Sequence, residues 1–282
     1  MVSWSGHILP VLVTIAIWFL ATGLIAWIDN RSRTTFPRSL VLAGAVGIAG
    51  LVVIWLSMAS TASLAIYASF AGALMVWAWH EVSFLTGAAA GPRREACPDG
   101  ARGWERFVHA SATLLYHEVA LLLSALILIS LTWNAVNQIG AMTFALLYGL
   151  RLSAKLCIYS GVPNTHTDIL PPHLGYLRSY YGANRFSPAL LLAILGIGAL
   201  SFVIGQSAYL ASPGSPEAIG ASLLFALACL GLVEHFFLAL PFRDGALWGW
   251  ALPQSAWRSN TLNKAVSARS SAAQTQITKE ES

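Results

Sequence analysis

Apolar stretches long enough to cross a bilayer recur along the chain, separated by short polar joints. A spanning helix needs about 20 consecutive, mostly apolar residues. On that measure the pattern predicts helices near 7–28, 39–57, 61–86, 105–132, 137–160, 188–210 and 217–241. The second and third lie in one apolar run too long for a single crossing, and the small, polar stretch Ser57-Met58-Ala59-Ser60-Thr61 divides it. The first run lacks a basic leading segment and a small-residue cleavage site, so it is read as a retained helix rather than a signal peptide. The fold class that follows is all-α: a polytopic membrane helical bundle of about seven transmembrane helices. Residues 1–250 form its single domain. Residues 251–282, rich in Ser, Ala, Thr and Gln, cannot bury enough surface to order themselves and are expected to be a flexible polar tail.

Charge adds orientation. The joint after the first helix carries Arg31, Arg33 and Arg38, and the joint after the third carries Arg93, Arg94, Arg102 and Arg106. Arg151 and Lys155 precede the third such joint, which holds Arg178 and Arg185, and the tail is basic again. The intervening turns near 58–61 and 133–136 are uncharged, and the last holds only Glu217. By the positive-inside rule the N-terminus is periplasmic and the C-terminus cytoplasmic, in an inner membrane. The net charge of +4 and pI near 9.1 are thus read as topology, with no nucleic-acid partner and with membrane lipid as the surroundings. Composition agrees: 10% of residues are charged, against about a quarter in soluble domains. Trp4, Trp104, Trp133, Trp248, Trp250 and Trp257 fall where interfacial anchors are expected. Cys97, Cys157 and Cys229 have no spacing that predicts a disulfide framework or a zinc site.

Ionisable residues inside a span each cost about 2.5–3.5 kcal/mol on insertion scales, so they need partners and mark function. Three adjacent pairs stand out: His80-Glu81, His117-Glu118 and Glu234-His235. The topology places all three at similar depth, towards the cytoplasmic end. Three helices offering imidazole and carboxylate together make a candidate metal set, and iron, manganese and zinc accept such ligands. His166, Asp168 and His173 follow the fifth helix, and Glu105 and His109 share one face of the fourth. The spacing is not the Glu-x-x-His of soluble di-iron bundles. A pigment or other ligand pocket, and plain polar packing between helices, stay open as readings of the same residues. The stretch 163–188 is long for a connector and holds Leu174, Tyr176, Leu177, Tyr180 and Tyr181, enough apolar surface for a short element that lids the cytoplasmic end.

Several motifs together resemble the PuhE family, photosynthetic complex assembly protein 2 of phototrophic proteobacteria. They are Trp79-His80-Glu81, Gly91-Pro92-Arg93, Cys97-Pro98, Tyr116-His117-Glu118, Lys155-Leu156, Gly161-Val162-Pro163-Asn164 and Leu170-Pro171-Pro172-His173-Leu174, with Tyr176-Leu177 and Ser179-Tyr180-Tyr181. They cover roughly residues 79–181, the middle of the chain. The resemblance implies a role in assembling the bacterial photosynthetic apparatus, with reaction-centre or light-harvesting subunits and bacteriochlorophyll or a precursor as partners. Whether such a protein is an enzyme is left open. Joined to the residues, it sets out three readings. One is an assembly factor holding a pigment or nascent subunit, with bacteriochlorophyll as its ligand. The second is a membrane oxidoreductase with two iron or manganese ions acting on a tetrapyrrole or isoprenoid intermediate. Its metal ligands would come from His80, Glu81, His117, Glu118, His166, His173, Glu234 and His235. The third, a transporter, is disfavoured by the lack of an internal repeat.

Overall fold

The computed structural model describes residues 2–165, 170–240, 248 and 250–251. Among these, seven helices are long and apolar enough to span a membrane. They are α1 (Leu9–Asp29, entered through a π turn, Trp4–Ile8), α2 (Phe36–Ser57), α3 (Ser63–Leu85), α4 (Gly103–Thr132), α5 (Ile139–Ser160), α6 (Pro188–Leu210) and α7 (Pro216–Ala239). In lipid every backbone polar group has to be paired within the chain, which makes helices the natural solution for such runs. A proline sits in the first turn of α1, α2, α6 and α7, where its missing N–H costs nothing. Ser187 and Ser215 cap α6 and α7, each accepting from a backbone N–H three residues on. The expected break inside the long apolar run holds, with α2 ending at Ser57 and α3 starting at Ser63.

Helices α3 and α7 form the centre, each with 44% of its span buried, against 17–28% for the others. α5 packs across both, α1 lies on α7, α2 on α3, α4 on α5 and α6 on α7. Small residues set the closest crossings, as expected where helices associate without a hydrophobic drive. A Cβ on Gly50 would lie 2.5 Å from the Gly72 carbonyl oxygen, and one on Gly72 would lie 2.8 Å from that of Gly50. On α5, the Gly140 N–H donates to Ser69 Oγ of α3 at 2.9 Å, and Gly231 of α7 leaves room for Leu150. Large apolar side chains on the outer helices, such as Leu20, Val41, Ile127 and Phe202, are exposed, as lipid-facing positions should be.

The two ends differ. At the neutral end, Asn137 Nδ2 donates to the carbonyls of Ser57 and Ala65, tying the α2–α3 and α4–α5 turns together. His7 bonds the Ala208 carbonyl through Nε2 at 2.9 Å and pins the N-terminus to the end of α6. At the basic end, the stretch that links α5 to α6 folds into a 3-10 segment, Pro172–Tyr180, laid across the bundle. Of the expected anchors, Trp248 departs most. It is 3% exposed, its Nε1 donates to the Phe19 carbonyl at 3.1 Å, and its ring meets Trp18 edge-on. Phe19 is ten residues inside α1 from Asp29, about 15 Å at 1.5 Å per residue, so Trp248 belongs to the bundle and not to an interfacial belt. The expected tail lies outside the described residues from residue 252 onward.

Candidate functional site

Between α1, α3, α4, α5 and α7 lies a chamber of about 410 Å³. Most of its wall is apolar: Trp18 of α1, Phe70, Leu74 and Trp77 of α3, and Leu227 of α7. Its polar wall is concentrated towards the basic end, where Asp29, Glu81, Arg151, Lys155 and Glu234 line it. Leu170, Leu177, Tyr180 and Tyr181 cover that end.

α5 supplies both cations. Arg151 and Lys155 stand four residues apart, one turn, so they share a face. Arg151 Nη2 donates to Glu81 Oε2 of α3 at 3.2 Å, and Lys155 Nζ donates to Glu118 Oε1 of α4 at 2.5 Å. Each carboxylate spends one oxygen on its cation. The other oxygen, Glu81 Oε1 or Glu118 Oε2, is buried with no hydrogen-bond partner among the described residues, and so is Asp29 Oδ1. The histidines are held separately. His80 Nε2 shares a hydrogen bond with the Ser124 hydroxyl at 2.9 Å. His235 Nδ1 donates to the Gly231 carbonyl at 2.8 Å, which leaves Nε2 to accept from the Ser153 hydroxyl at 3.0 Å. His117 is fully buried beside Phe84, with ring centroids 4.6 Å apart, and neither nitrogen has a partner among the described residues.

The lid is laced by polar contacts. Arg93 Nε donates to the Tyr180 hydroxyl at 2.8 Å, and that hydroxyl donates to the Glu95 carbonyl at 3.1 Å. Arg106 Nη2 reaches the carbonyls of Tyr180 and Tyr159, and the Cys97 N–H donates to Ser179 Oγ. His173 Nε2 donates to the Leu85 carbonyl at 2.8 Å, closing the segment onto the end of α3. Burial holds the His173 imidazole below its ordinary range, Leu85 acts in the opposite sense, and Arg33 adds to the lowering. Phe84, Leu174 and Leu177 form the apolar seat beneath.

The sequence profile of a family described as a protein of unknown function (DUF3623) matches residues 4–259. The chain belongs to that family. A Rhodobacter capsulatus protein described as an "Uncharacterized 30.4 kDa protein in puhA 5'region" is 34% identical over 267 residues, 93% of this chain and 96% of that one. No solved structure matches. In this DUF3623 chain the profile spans all seven helices, so chamber, ion pairs and lid all lie within the family's extent.

Of the three expected pairs, Glu81, Glu118 and His235 reach Arg151, Lys155 and Ser153 on one stretch of α5, and His80 meets Ser124 of α4. They face different partners there. Among the described residues, no three His, Cys, Asp or Glu side chains gather as a metal-ligand set. His166 and Asp168 lie outside the described residues. His173 is held by the lid contact to Leu85, and Glu105 with His109 forms a separate pair 3.8 Å apart. Three residues carry more of the site than sequence reasoning assigned them: Asp29, Arg151 and Lys155. The signal for the last two was their one-turn spacing inside an apolar run, which makes them intramembrane cations rather than flanking charges.

Proposed function

We propose that this protein is an inner-membrane assembly factor of the bacterial photosynthetic apparatus, PuhE-like in role, that holds a pigment or pigment precursor in its chamber. The chamber carries the reading. Its volume falls within the range of about 300–1,000 Å³ of small-molecule sites, its wall is mostly apolar, and a few charged groups converge at one end. A polytopic enzyme or carrier acting on a soluble substrate would need a wetter cavity. The PuhE resemblance, and a relative whose description places it in the puhA 5' region, support the biological setting. With the arginine-rich end in the cytoplasm, the lid faces the compartment in which apparatus subunits are synthesised.

The test is a phototrophic host lacking the chain, complemented with wild type or with Ala78→Phe, which fills the chamber from α3. Reaction-centre and light-harvesting absorbance per cell is expected to fall without the chain, recover with wild type and stay low with Ala78→Phe. Wild-type absorbance in the deletion strain would overturn the proposal.

One observation favours a second reading, the metal-dependent oxidoreductase. Among the described residues, His117 has two buried nitrogens without partners, and Glu81 and Glu118 each keep one unpartnered oxygen. Against the fit, both carboxylates are tied to α5 cations, and the His80 and His235 imidazoles bond the separate hydroxyls of Ser124 and Ser153. About two iron or manganese per purified chain, lost in His117→Ala, would favour this reading over the carrier.

A further inference from the structure

Two carboxylates that keep a spare oxygen, Asp29 and Glu81, line the chamber's basic end beside two cations, Arg151 and Lys155. Both cations are engaged, one by Glu81 and the other by Glu118. Asp29 and Glu81 are only 6% and 5% exposed, yet Asp29 Oδ1 and Glu81 Oε1 have no hydrogen-bond partner among the described residues. A buried acceptor without a donor is costly, and two of them on one chamber wall mark a place where a donor belongs.

The shape of the chamber says what should follow that donor. Its lining runs along α1 from Asp29 back to Thr14, fifteen residues, or about 22 Å at 1.5 Å per residue. Along that path the wall is made by Trp18, Ala21 and Ile25 of α1 and by Phe70 and Leu74 of α3. No charged residue lies on α1 between Thr14 and Asp29. Polar acceptors stand at one end, under the lid, and a long apolar trough leads away towards the bundle's middle.

Resting on the reading of the chamber as a ligand site, we infer that it takes an elongated amphipathic molecule with a hydrogen-bond-donating head, a hydroxyl or an ammonium. The head lies between Asp29 and Glu81, and a single long apolar chain runs along α1 and α3. An acidic head is disfavoured, because the spare groups are acceptors and the cations are already paired. Asp29 is a binding residue here. Its Oδ1 has no hydrogen-bond partner among the described residues, so its loss is felt by the ligand more than by the fold.

Native mass spectrometry of the purified full chain in detergent tests this with three probes of one chain length: hexadecylamine, hexadecanol and hexadecanoic acid. Wild type is expected to retain about one amine or alcohol per chain, and the acid about tenfold less. Asp29→Asn should lose about tenfold in amine retention and less in alcohol retention, since a neutral head depends less on the charge. Its thermal midpoint should equal or exceed that of wild type, whereas a structural Asp29 would lower it. Ala78→Phe should retain none of the three. Equal retention of the acid, or undiminished amine retention by Asp29→Asn, would overturn the head-group assignment and leave the carrier reading standing. If wild type keeps none of the probes while Ala78→Phe still fails to complement the deletion strain, the chamber takes a different ligand class and this inference falls alone.

Discussion

The Lys155–Glu118 pair is the sharpest place to test whether the charges are structural partners across α4 and α5. Each side chain is about one-fifth exposed, 20% and 21%, and Glu118 Oε2 has no partner among the described residues. Lys155→Met therefore leaves an uncompensated carboxylate within the span. Breaking a buried pair from one side costs about 3–5 kcal/mol, and the residual exposure puts this case at the lower end, about 3 kcal/mol. Glu118→Gln is the mirror experiment and leaves Lys155 one turn from the like charge of Arg151. The double variant removes both charges, and its loss should be within about 1 kcal/mol of wild type, because replacing a whole pair is often close to neutral. At about 2–4 °C per kcal/mol for a chain of this class, each single change should lower the midpoint by about 6–12 °C. The double variant should recover most of that. Thermal unfolding in detergent can be followed through Cys157, a free thiol 2% exposed in the folded bundle, with a thiol-reactive dye. Single variants within about 2 °C of wild type, or a double variant whose loss is the sum of the singles, would refute the pairing.

Three further outcomes are expected. Gly72→Val places a branched side chain against the α2 backbone at Gly50 and should cost about 1–3 kcal/mol by thermal unfolding, while Gly149→Val, with open space around its Cβ, should cost less. His173 has a folded-state pKa below its unfolded value, so the lid contact is fully stable above about pH 6.5 and weakens as pH falls from there through the lowered folded value; the amide protection of residues 170–181, relative to intrinsic exchange rates, should fall over that window in wild type and stay level in His173→Gln. Alkaline phosphatase fused after Ser60 should be active and one fused after Asp99 inactive, since the first lies in a neutral turn and the second in an arginine-bearing joint.

The helices were legible because bilayer thickness imposes a length, and the split near Ser57 needed that length together with a small, polar stretch. Counting turns between loops of known charge pointed to α3, α4 and α7, and Glu81, Glu118 and His235 of those helices do reach α5. The lid was legible in outline from its leucines and tyrosines, which do cover the basic end. Partners were not legible. Arg151 and Lys155 read as topology markers because they stand near a basic joint, and only the packing of α5 across α3 and α4 turns them into counter-ions. Asp29 looks like the polar flank of α1 beside Asn30 and Arg31, and its burial comes from how α1 lies on the bundle. Trp248 shows the same limit: a tryptophan after the last span suits an interface, and its seat against Trp18 and Phe19 depends on contacts over 229 residues of sequence.

The central claim is that the chamber holds an amphipathic molecule, and the most direct measurement is what comes with the chain out of its own membranes. Wild type and Ala78→Phe should be purified side by side in mild detergent, and their extracts compared by absorption spectra and mass spectrometry against protein content. The account predicts about one pigment-like or long-chain molecule per wild-type chain and none in Ala78→Phe at equal thermal stability. The same molecule at the same ratio in both, or in neither, would contradict it.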